Sequence, residues 1–375
     1  MKIGVLKEKK TENRVALIPD GVKTLQSLKC DILIEKNAGA SAHYANHQYQ
    51  DAGGLIISRH EILAGCDLLL MIHPLEEMEL ESIAPASIIV GCFNPFQNLS
   101  FLQKLRQTGI TSFSMELVPR TSRAQAMDIL SSMATVAGYK AVLIAASLLP
   151  KFFPMFMSAA GTIKPARVLI LGAGVAGLQA LAIARKLGAV VEVFDVRAAV
   201  KEEVISLGGR FIEVEGAKED ASAGGYAVEQ TDEYQKKQME LIHQHAVKSD
   251  VIITTAQIPG KQAPVLLKME TVNAMNRGSL IIDLAAASGG NCEYTQNGET
   301  IVENGVTIIG KSDFPSDLPA DASLMYSNNM INFLRLLITK EGQLNLDFQD
   351  DIIKGTCLTH QGEIVHARVK ELINQ

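Results

Sequence analysis

The chain has 375 residues, of which 47% are hydrophobic and 20% charged, and its formal net charge is -6. This length predicts two domains, each large enough to bury a core of its own. The 35 Lys and Arg residues are scattered and are outnumbered by 41 Asp and Glu residues, so the sequence offers no polyanion-binding surface and argues against a nucleic-acid partner.

Targeting signals and cysteine usage favour a soluble chain in a reducing compartment. The five cysteines are odd in number and widely spaced, with no C-x-x-C pair. The N-terminus "MKIGVLKEKK" has charges on both sides of a short apolar run and so lacks the apolar core of a signal peptide. The most apolar stretch, residues 141–161, is interrupted by Pro150, Lys151 and Pro154. We interpret it as a buried helix and a connector rather than a membrane span.

Short apolar runs alternate with amphipathic segments from the start of the chain. Runs typical of strands are "KIGVL", "DILIE", "DLLLMI", "SIIVGCF" and "ITSFSM". Helical patterns lie between them, and this alternation predicts layers of helix on a parallel sheet. We assign residues 1–130 to a first α/β domain.

A polar cluster, "PRTSRAQAMD", occupies residues 119–128. Ser122 and Gln125 have the spacing of a capping box, which predicts a helix beginning at this point. On such a helix Gln125, Asp128 and Ser132 would form a polar stripe at i, i+3 and i+7. The local pattern is compatible with capping alone and with a binding role, and both interpretations remain open.

A nicotinamide carboxamide is one group that this stripe could bind, because an amide needs both donors and acceptors. Ser131 lies beside the stripe, and Arg120 and Arg123 could complement a phosphate or an amide oxygen. The cluster also precedes the second domain, and clefts between domains commonly bind small molecules. It is therefore a candidate binding site.

A second alternating series begins at Ala166. Its candidate strands are "RVLIL", "VVEVFD", "RFIEV", "DVIITTA", "SLIIDLA" and "VTIIG". Together they supply the number of strands in a complete doubly wound dinucleotide fold. We assign residues 131–320 to this NAD-binding Rossmann domain and expect residues 321–375 to return to the first domain.

Gly172, Gly174 and Gly177 form a G-x-G-x-x-G pattern between a strand pattern and a helix pattern. In such motifs the first glycine permits a tight turn, the second lets a pyrophosphate approach the backbone, and the third lets the helix pack on the strand. The unpaired N–H groups and positive dipole end of the helix favour phosphate. The sequence therefore predicts a dinucleotide site here.

Asp195 ends the second strand of this series and lies 18 residues after Gly177 (195 − 177). This is close to the spacing of about 20 residues expected for the acid that binds the adenosine ribose. A carboxylate accepts hydrogen bonds from both ribose hydroxyls and repels a 2′-phosphate, so NAD is favoured over NADP. Arg197 could accommodate a phosphate, and the preference is not absolute.

The stretch "AKEDASAGGYAVEQTDE", residues 217–233, is rich in Ala, Gly and acids. It contains too few large apolar groups to order itself firmly. An exposed insertion is one interpretation. The other is a lid that closes over bound nucleotide, because Tyr226 directly follows Gly224 and Gly225.

Several stretches, taken in order, resemble the soluble NAD(H)-binding component of proton-translocating nicotinamide nucleotide transhydrogenases over nearly the whole length. They are "KKTENRVALIPDGV", "PRTSRAQAMDILSS", "GAGVAGLQALA", "FDVRAAVKEEVISLGG", "AGGYA", "TTAQIPGKQAPVL", "IIDLAAASGGN" and "GTCLTHQGEIVH". The resemblance implies two open parallel-sheet (Rossmann-like) domains of α/β class with a cleft between them, and a C-terminal tail that returns to the first domain.

The resemblance also implies the reaction and the partners. NAD(H) would bind to this chain and exchange hydride directly with NADP(H) held on a partner β subunit, and a membrane part would couple transfer to proton movement. The chain would be a homodimer in the cytoplasm, peripheral on the inner face of the plasma membrane. It would be inactive without the NADP-binding partner, and no metal is expected.

Residue roles follow from the same resemblance. The nicotinamide-end contacts would be Arg120, Thr121, Ser122, Arg123, Gln125, Asp128 and Ser131, with Gln125, Asp128 and Arg120 catalytic and Gln125 placed between the two nucleotides. The remaining contacts would be Gly172, Gly174, Val175, Gly177, Asp195, Val196, Arg197, Gly225, Tyr226, Gln238 and Gln257. Gln257 stands where the family usually has leucine, which leaves its contact open.

Alanine dehydrogenase shares the fold and is the main alternative; a non-catalytic NAD-binding module is another. The dehydrogenase needs a lysine and a histidine in the first domain and an aspartate after the fifth strand for acid–base chemistry. The matching positions here hold His73, Asn94 and Ala287. Arg14, which binds the amino acid carboxylate in the dehydrogenase, is present, and we interpret it as structural. Direct hydride transfer moves no substrate proton and so tolerates these departures.

Overall fold

The computed structural model describes residues 1–84, 86–214, 231–257 and 260–374. The chain folds into two compact units. The first consists of Met1–Met133 and Pro315–Gln375, and the second of Ala134–Phe314.

The strands and helices are numbered in chain order. The strands are β1 Lys2–Val5, β2 Asp31–Glu35, β3 Leu55–Ile57, β4 Leu68–Leu70, β5 Ile88–Gly91, β6 Thr111–Ser114, β7 Phe156–Ser158, β8 Gly161–Ile163, β9 Arg167–Leu171, β10 Val190–Phe194, β11 Arg210–Ile212, β12 Val251–Thr254, β13 Leu280–Asp283, β14 Thr300–Glu303, β15 Val306–Ile309, β16 Cys357–His360 and β17 Glu363–Ile364. The α-helices are α1 Pro19–Ser27, α2 Asn46–Asp51, α3 Arg59–Gly65, α4 Leu99–Thr108, α5 Ile129–Leu148, α6 Val175–Lys186, α7 Lys201–Ser206, α8 Asp232–Ala246, α9 Met269–Asn273, α10 Pro319–Leu337, α11 Asp351–Thr356 and α12 Ala367–Asn374.

The sheet of the first unit has the order β17-β16-β6-β5-β4-β1-β2-β3. Its first six strands in the chain are parallel, and β16 and β17 pair antiparallel at one edge. The central strands β1, β4 and β5 are largely apolar because both faces of the sheet are covered. Leu68 and Leu70 face one core cluster and Leu69 faces the other.

The sheet of the second unit has the order β11-β10-β9-β12-β13-β15-β14. Its six predicted strands are parallel and wound in both directions from β9, which is the doubly wound arrangement. Val168 and Ile170 face one core cluster, and Leu169 and Leu171 the other. The predicted α/β fold class is confirmed.

Strand β3, strand β14 and the β7–β8 hairpin were not predicted from the sequence. Strand β14 runs antiparallel to β15 through a turn in which Asn304 and Gly305 both have positive φ, 48° and 79°. Asn-Gly is a strong hairpin signal, so this strand was detectable. Strands β7 and β8 are exposed along their whole length, so they lack the apolar alternation by which a half-buried strand is detected.

Helix α5 covers the start of the apolar stretch and ends before Pro150, and the β7–β8 hairpin lies in the stretch interpreted as a connector. Among the described residues, α5 is the one helix that is long and apolar enough to cross a membrane, judged by length and composition. Of its apolar window, 33% is buried. A core helix passes the same test. Ala141, Val142 and Ala145 of this helix lie in the core of the second unit.

Helix α10 anchors the segment before α1. The hydroxyl of Ser323 accepts a hydrogen bond from the Val15 N–H (2.9 Å), and that of Ser327 from the Ile18 N–H (3.3 Å). Pro19 then opens α1, where a proline is well tolerated because its missing N–H would have no helical partner.

Candidate functional site

The glycine-rich turn joins β9 to α6 where the strand order of the second unit reverses. Gly172 has a φ of 107°, which favours glycine. A Cβ on Gly177 would lie 1.9 Å from the Gly172 carbonyl oxygen, so only glycine fits there, whereas a Cβ on Gly174 would meet no atom within 4 Å. Gly174 is the N-cap of α6 and Val175 its first residue. The turn therefore leaves open space at a helix N-terminus, which favours anions.

Thr255 connects this turn to the strand across the reversal. Its hydroxyl donates to the Gly172 carbonyl oxygen at 3.0 Å. In open α/β sheets, ligands bind at the carboxyl ends of the strands where the order reverses, here between β9 and β12. The turn is thus held at the position where this fold class binds nucleotides.

Asp195 is tied to the same turn. Its carboxylate accepts from the Ala173 N–H (2.7 Å), the Arg197 N–H (2.9 Å) and the Arg197 guanidinium (2.8 and 2.7 Å). The side chain is 6% exposed. The hydrogen bond to Asp195 raises the pKa of Arg197. Because Asp195 already binds the Arg197 guanidinium, a 2′-phosphate would have to compete for it.

The other predicted contacts of the second unit lie on several different elements. Val196 is half-buried after β10, Gln238 is buried on α8, and Val175 is 42% exposed. Gln257 follows β12, and its amide donates to the Leu284 carbonyl at 3.2 Å. Gly225 and Tyr226, with most of the proposed lid, lie outside the described residues.

Asp283 is a residue that the sequence analysis missed. It is fully buried at the end of β13. Its carboxylate accepts five hydrogen bonds, from the Thr254 hydroxyl, the Ala285, Asn291 and Cys292 N–H groups, and the Thr295 hydroxyl, at 2.6–3.2 Å. The signal available in the sequence was an acidic residue at the end of the apolar run "SLIID". Asp283 thereby fixes the loop that follows β13.

Asn291 extends this network to the loop after β12. Its side-chain oxygen accepts from the Ala256 N–H (3.0 Å), and its amide donates to the carbonyls of Ala256 (2.9 Å) and Pro264 (2.8 Å). The backbone beside Gln257 is therefore fixed by buried polar groups, and such fully satisfied networks rigidify the loops they join.

The polar cluster of the first unit forms a 3-10 turn, Ser122–Met127, rather than the start of an α-helix. Thr121 is its N-cap and makes no side-chain capping bond, so the predicted Ser122–Gln125 capping box is wrong. The continuous stripe is wrong too, because Asp128 is extended (φ -75°, ψ 93°) and separates the turn from α5. Ala124 and Met127, three residues apart, are both buried on one face of the turn, and Gln125 is exposed.

Asp128 and Ser131 meet at the start of α5. The Asp128 carboxylate accepts from the Ser131 N–H (2.9 Å) and the Ser131 hydroxyl (2.5 Å). This is the pattern of an acidic N-cap, which satisfies one of the donors that a helix start leaves unpaired. The two predicted site residues are therefore paired with each other.

The two predicted arginines of the cluster differ in their surroundings. Arg123 forms a bidentate ion pair with Asp350 (2.6 and 2.7 Å), and Asp350 also caps α11 by accepting from the Ile352 N–H (2.8 Å). Arg123 lowers the pKa of the Asp350 carboxyl. Arg120 is exposed. Arg123 thus joins the turn to the C-terminal segment, in addition to any contact with a ligand.

The positions that distinguish alanine dehydrogenase are occupied by interacting groups in the first unit. Glu12 accepts from the Arg14 guanidinium (2.8 and 2.6 Å) and lies 2.8 Å from His73 Nε2. Burial alone would raise the pKa of Glu12, but Arg14 and His73 hold it well below its ordinary value. Asn94 has a φ of 49°, and its side-chain amide donates to Gln97 (2.8 Å).

A cavity of about 610 Å³ in the first unit is lined by the segments that follow β1 and β4. Its lining includes basic and acidic side chains in similar numbers, which are Lys7, Lys9, Lys10, Arg59, His73, Glu8, Glu12, Glu35, Glu76 and Glu79. Arg59 is bound to Glu35 (2.7 Å) and Glu79 (2.5 Å). Ion pairs among its own lining residues thus neutralise part of the charge in this cavity. The glycine-rich turn does not line it.

Two family models cover the chain. The model "Alanine dehydrogenase/PNT, N-terminal domain" matches residues 4–137, and "Alanine dehydrogenase/PNT, C-terminal domain" matches residues 141–367. The chain is 44% identical to the first part of the NAD(P) transhydrogenase subunit alpha of Rhodospirillum rubrum over 376 aligned residues, with 98% of each chain covered. It is 27% identical to an alanine dehydrogenase of Staphylococcus haemolyticus, covering 99% of this chain and 96% of that one.

A solved structure has the same fold. The transhydrogenase from Sinorhizobium meliloti matches with a TM-score of 0.89 and 38% identity, covering 97% of this chain and 100% of that chain. The identity is higher toward the transhydrogenases than toward the alanine dehydrogenase, over similar coverage.

Proposed function

The chain belongs to the alanine dehydrogenase/PNT family, and we propose that it is the NAD(H)-binding component of a proton-translocating NAD(P) transhydrogenase. In this role it exchanges hydride with NADP(H) held on a partner β subunit, with Re/Si stereospecificity, and is inactive alone. The observation that carries the proposal is the 44% identity over 98% of both chains to a transhydrogenase subunit. Positions 73, 94 and 287 support it, because they hold His, Asn and Ala in place of the lysine, histidine and aspartate of the dehydrogenase.

The second unit provides groups that fit NAD(H). Open space at Gly174 lets a phosphate approach the N-terminus of α6, and the Asp195 carboxylate suits a ribose diol better than a 2′-phosphate. Gly172, Val175, Gly177, Val196, Arg197, Gln238 and Gln257 complete the proposed contacts of this unit. Gly225 and Tyr226 are also proposed as nucleotide contacts, on the basis of the family resemblance alone. When bound, the nicotinamide supplies the hydride.

The first unit is proposed to provide the nicotinamide end. Gln125 is exposed on its turn and can therefore reach a second nucleotide. Asp128 orients Ser131 through two hydrogen bonds. Arg120, Thr121, Ser122 and Arg123 complete the set. These residues orient the rings and move no proton, so catalysis rests on proximity and alignment.

We also propose a homodimer that docks on the membrane part of the complex from the cytoplasmic side. The β7–β8 hairpin supports the homodimer, since Met155, Phe156 and Met157 are 59%, 48% and 69% exposed. Phe152 and Phe156 stack with ring centroids 5.2 Å apart. A cluster of exposed apolar side chains on a soluble unit is typical of an interface, and we assign it to a second copy of this chain.

The decisive experiment is stopped-flow mixing of the NADH-loaded chain with a purified NADP-binding domain of a transhydrogenase β subunit. Hydride transfer is expected only when both proteins are present. NADH binding without transfer would favour a non-catalytic NAD-binding module. The matched variant is Gln125→Asn, which keeps the amide but shortens its reach, and it should slow transfer far more than it weakens NADH binding.

Alanine dehydrogenase activity is the second candidate, favoured by the retained Arg14. The buried ion pair of Arg14 with Glu12 and the residues His73, Asn94 and Ala287 argue against it. Oxidation of NADH by the purified chain that depends on pyruvate and ammonia would establish this alternative. We expect none.

A further inference from the structure

The backbone of the Ser122–Met127 turn is held from one side by two asparagines of α10. The Ala126 carbonyl oxygen accepts from the side-chain amides of Asn329 (2.9 Å) and Asn332 (3.2 Å). Residues three apart lie on the same face of a helix, so both amides reach the same carbonyl. Ala126 directly follows Gln125, the residue proposed to stand between the two nucleotides.

The orientation of the Asn329 amide indicates that the bond to Ala126 is the main interaction of this side chain. Asn329 is 7% exposed. Among the described residues, its Oδ1 is the buried side-chain polar atom that has no hydrogen-bond partner. Flipping the amide would set two oxygens against each other at Ala126, so the bond to Ala126 fixes this orientation. A buried unsatisfied acceptor is destabilising. An apolar residue would avoid that cost, so the asparagine is best explained by its bond to Ala126.

The geometry of the turn explains why this carbonyl needs a partner. The last carbonyls of a helical turn lack helical donors, and Asp128 leaves the turn in an extended conformation. Ala124 and Met127 are fixed by burial on either side of Gln125, whereas Ala126 is exposed. The two asparagines therefore fix the peptide group between Ala126 and Met127, one peptide group beyond the one that follows Gln125. They thereby restrict the turn from which the Gln125 side chain projects.

We propose that Asn329, assisted by Asn332, is a positioning residue for hydride transfer, because it holds the turn that presents Gln125. This inference rests on the proposed function. Asn329 acts through the backbone of Ala126 and has no role in acid–base chemistry.

The test compares Asn329→Ala with Asn328→Ala, an exposed neighbour on the same helix. Each variant is mixed with the NADP-binding domain at saturating nucleotide, and NADH affinity and thermal unfolding are measured alongside. Asn329→Ala should slow transfer by roughly 10- to 100-fold, since small misplacements of aligned groups have large effects on rate. Its NADH dissociation constant should change less than about 3-fold, because Asn329 does not belong to the proposed nucleotide contacts. Asn328→Ala should match the wild type. Equal losses in rate and affinity for Asn329→Ala would overturn the inference.

A double-mutant cycle separates this inference from the proposed function. If Asn329 acts through the turn, Asn329→Ala should slow a Gln125→Ala background much less than it slows the wild type. If Asn329→Ala slows transfer by the same factor in both backgrounds, the inference about Asn329 is overturned and the proposed function is unaffected. If Gln125→Ala itself transfers hydride at the wild-type rate, the proposed function of the turn fails as well.

Asn332→Ala keeps the test decisive if Asn329→Ala does not fold. Asn332 is less buried and its bond to Ala126 is longer, so its removal should be tolerated. It should slow transfer by a smaller factor than Asn329→Ala, again without weakening NADH binding. An unchanged transfer rate in Asn332→Ala, with Asn329→Ala unfolded, would overturn the inference.

Discussion

At the residue scale, the defining feature is a set of buried carboxylates, each of which accepts several hydrogen bonds from neighbouring donors. Asp195 binds the glycine-rich turn and Arg197, Asp283 binds five donors around the β13 loop, and Glu12 binds Arg14 and His73. A buried carboxylate is tolerated only when its lone pairs are matched by donors in this way. Each of them therefore joins segments that are distant in the sequence.

Asp195→Asn tests the proposed ribose contact. The amide removes the negative charge that disfavours a 2′-phosphate and loosens the Arg197 guanidinium. We expect NADH to bind about tenfold more weakly, as for loss of one charge-assisted hydrogen bond, and the discrimination against NADPH to fall. Fluorescence titration with both nucleotides measures this. Glu202→Gln, an exposed acid on α7, is the control, and an unaltered NADH/NADPH ratio in Asp195→Asn would refute the assignment.

Glu12→Gln tests the buried ion pair of the first unit. Because the pKa of Glu12 in the fold is below its ordinary value of 4.5, its contribution to stability is full above about pH 4.5 and is lost as the pH falls below it. The variant should therefore be less stable than the wild type at pH 7, by about 3–5 kcal/mol for a buried arginine left unpaired. The difference should shrink as the pH falls below about 4.5. Denaturant unfolding of the variant and the wild type across this pH range measures the difference in stability, with Glu81→Gln, at an exposed position, as the control. A difference that does not change with pH would contradict the prediction.

At the element scale, two elements set the geometry of the candidate site. Helix α6 begins at the glycine-rich turn and packs against α5, where a Cβ on Gly138 would lie 2.2 Å from the Ala176 carbonyl oxygen. Helix α10 holds the backbone before α1 through Ser323 and Ser327, and the Ser122–Met127 turn through its asparagines. Close backbone contact in the one case and side-chain donors in the other leave these elements little freedom to shift.

The glycines at 174 and 177 should respond differently to alanine. Gly177→Ala would place a Cβ 1.9 Å from a backbone oxygen, so it should lower the unfolding temperature by several degrees or more. Gly174→Ala has room for its Cβ and should keep the wild-type unfolding temperature. It should nevertheless weaken NADH binding, because the new methyl group occupies space where the pyrophosphate would approach. Calorimetry and NADH titration distinguish the two; normal NADH binding by Gly174→Ala would argue against a pyrophosphate at this turn.

At the scale of the whole molecule, each compact unit has its own mainly parallel sheet with a core on both faces, and the chain returns to the first unit after the second is complete. Strand β16 pairs with β6, and Asp350 pairs with Arg123. The C-terminal segment is thus integral to the first unit, and its removal would expose one edge of that sheet.

Met157→Asp tests the proposed homodimer. A charge at this exposed apolar position of the hairpin should disfavour burial against a second copy while leaving the fold of each unit intact. We expect the variant to be monomeric by sedimentation or light scattering at concentrations where the wild type is dimeric. Val302→Asp, at an equally exposed position on β14, is the matched control. A dimeric Met157→Asp would exclude this part of the hairpin from the interface.

The α/β class and the six parallel strands of the second unit could be predicted from the sequence alone, because apolar runs and glycine spacing are local signals. The sequence also pointed to Asp195 and to the polar cluster, although the roles proposed for them remain predictions. It could not give the 3-10 form of that cluster, since tertiary packing decides which of its residues are buried and can override a local capping pattern.

Which groups pair with one another became visible only in the folded chain. Arg123 and Asp350 are 227 residues apart, and Asn329 and Ala126 are 203 apart. No local pattern reports such pairs, because they form when separate elements pack together. The cluster in the first unit is therefore readable from the sequence as polar, but what holds it in place is a property of the fold.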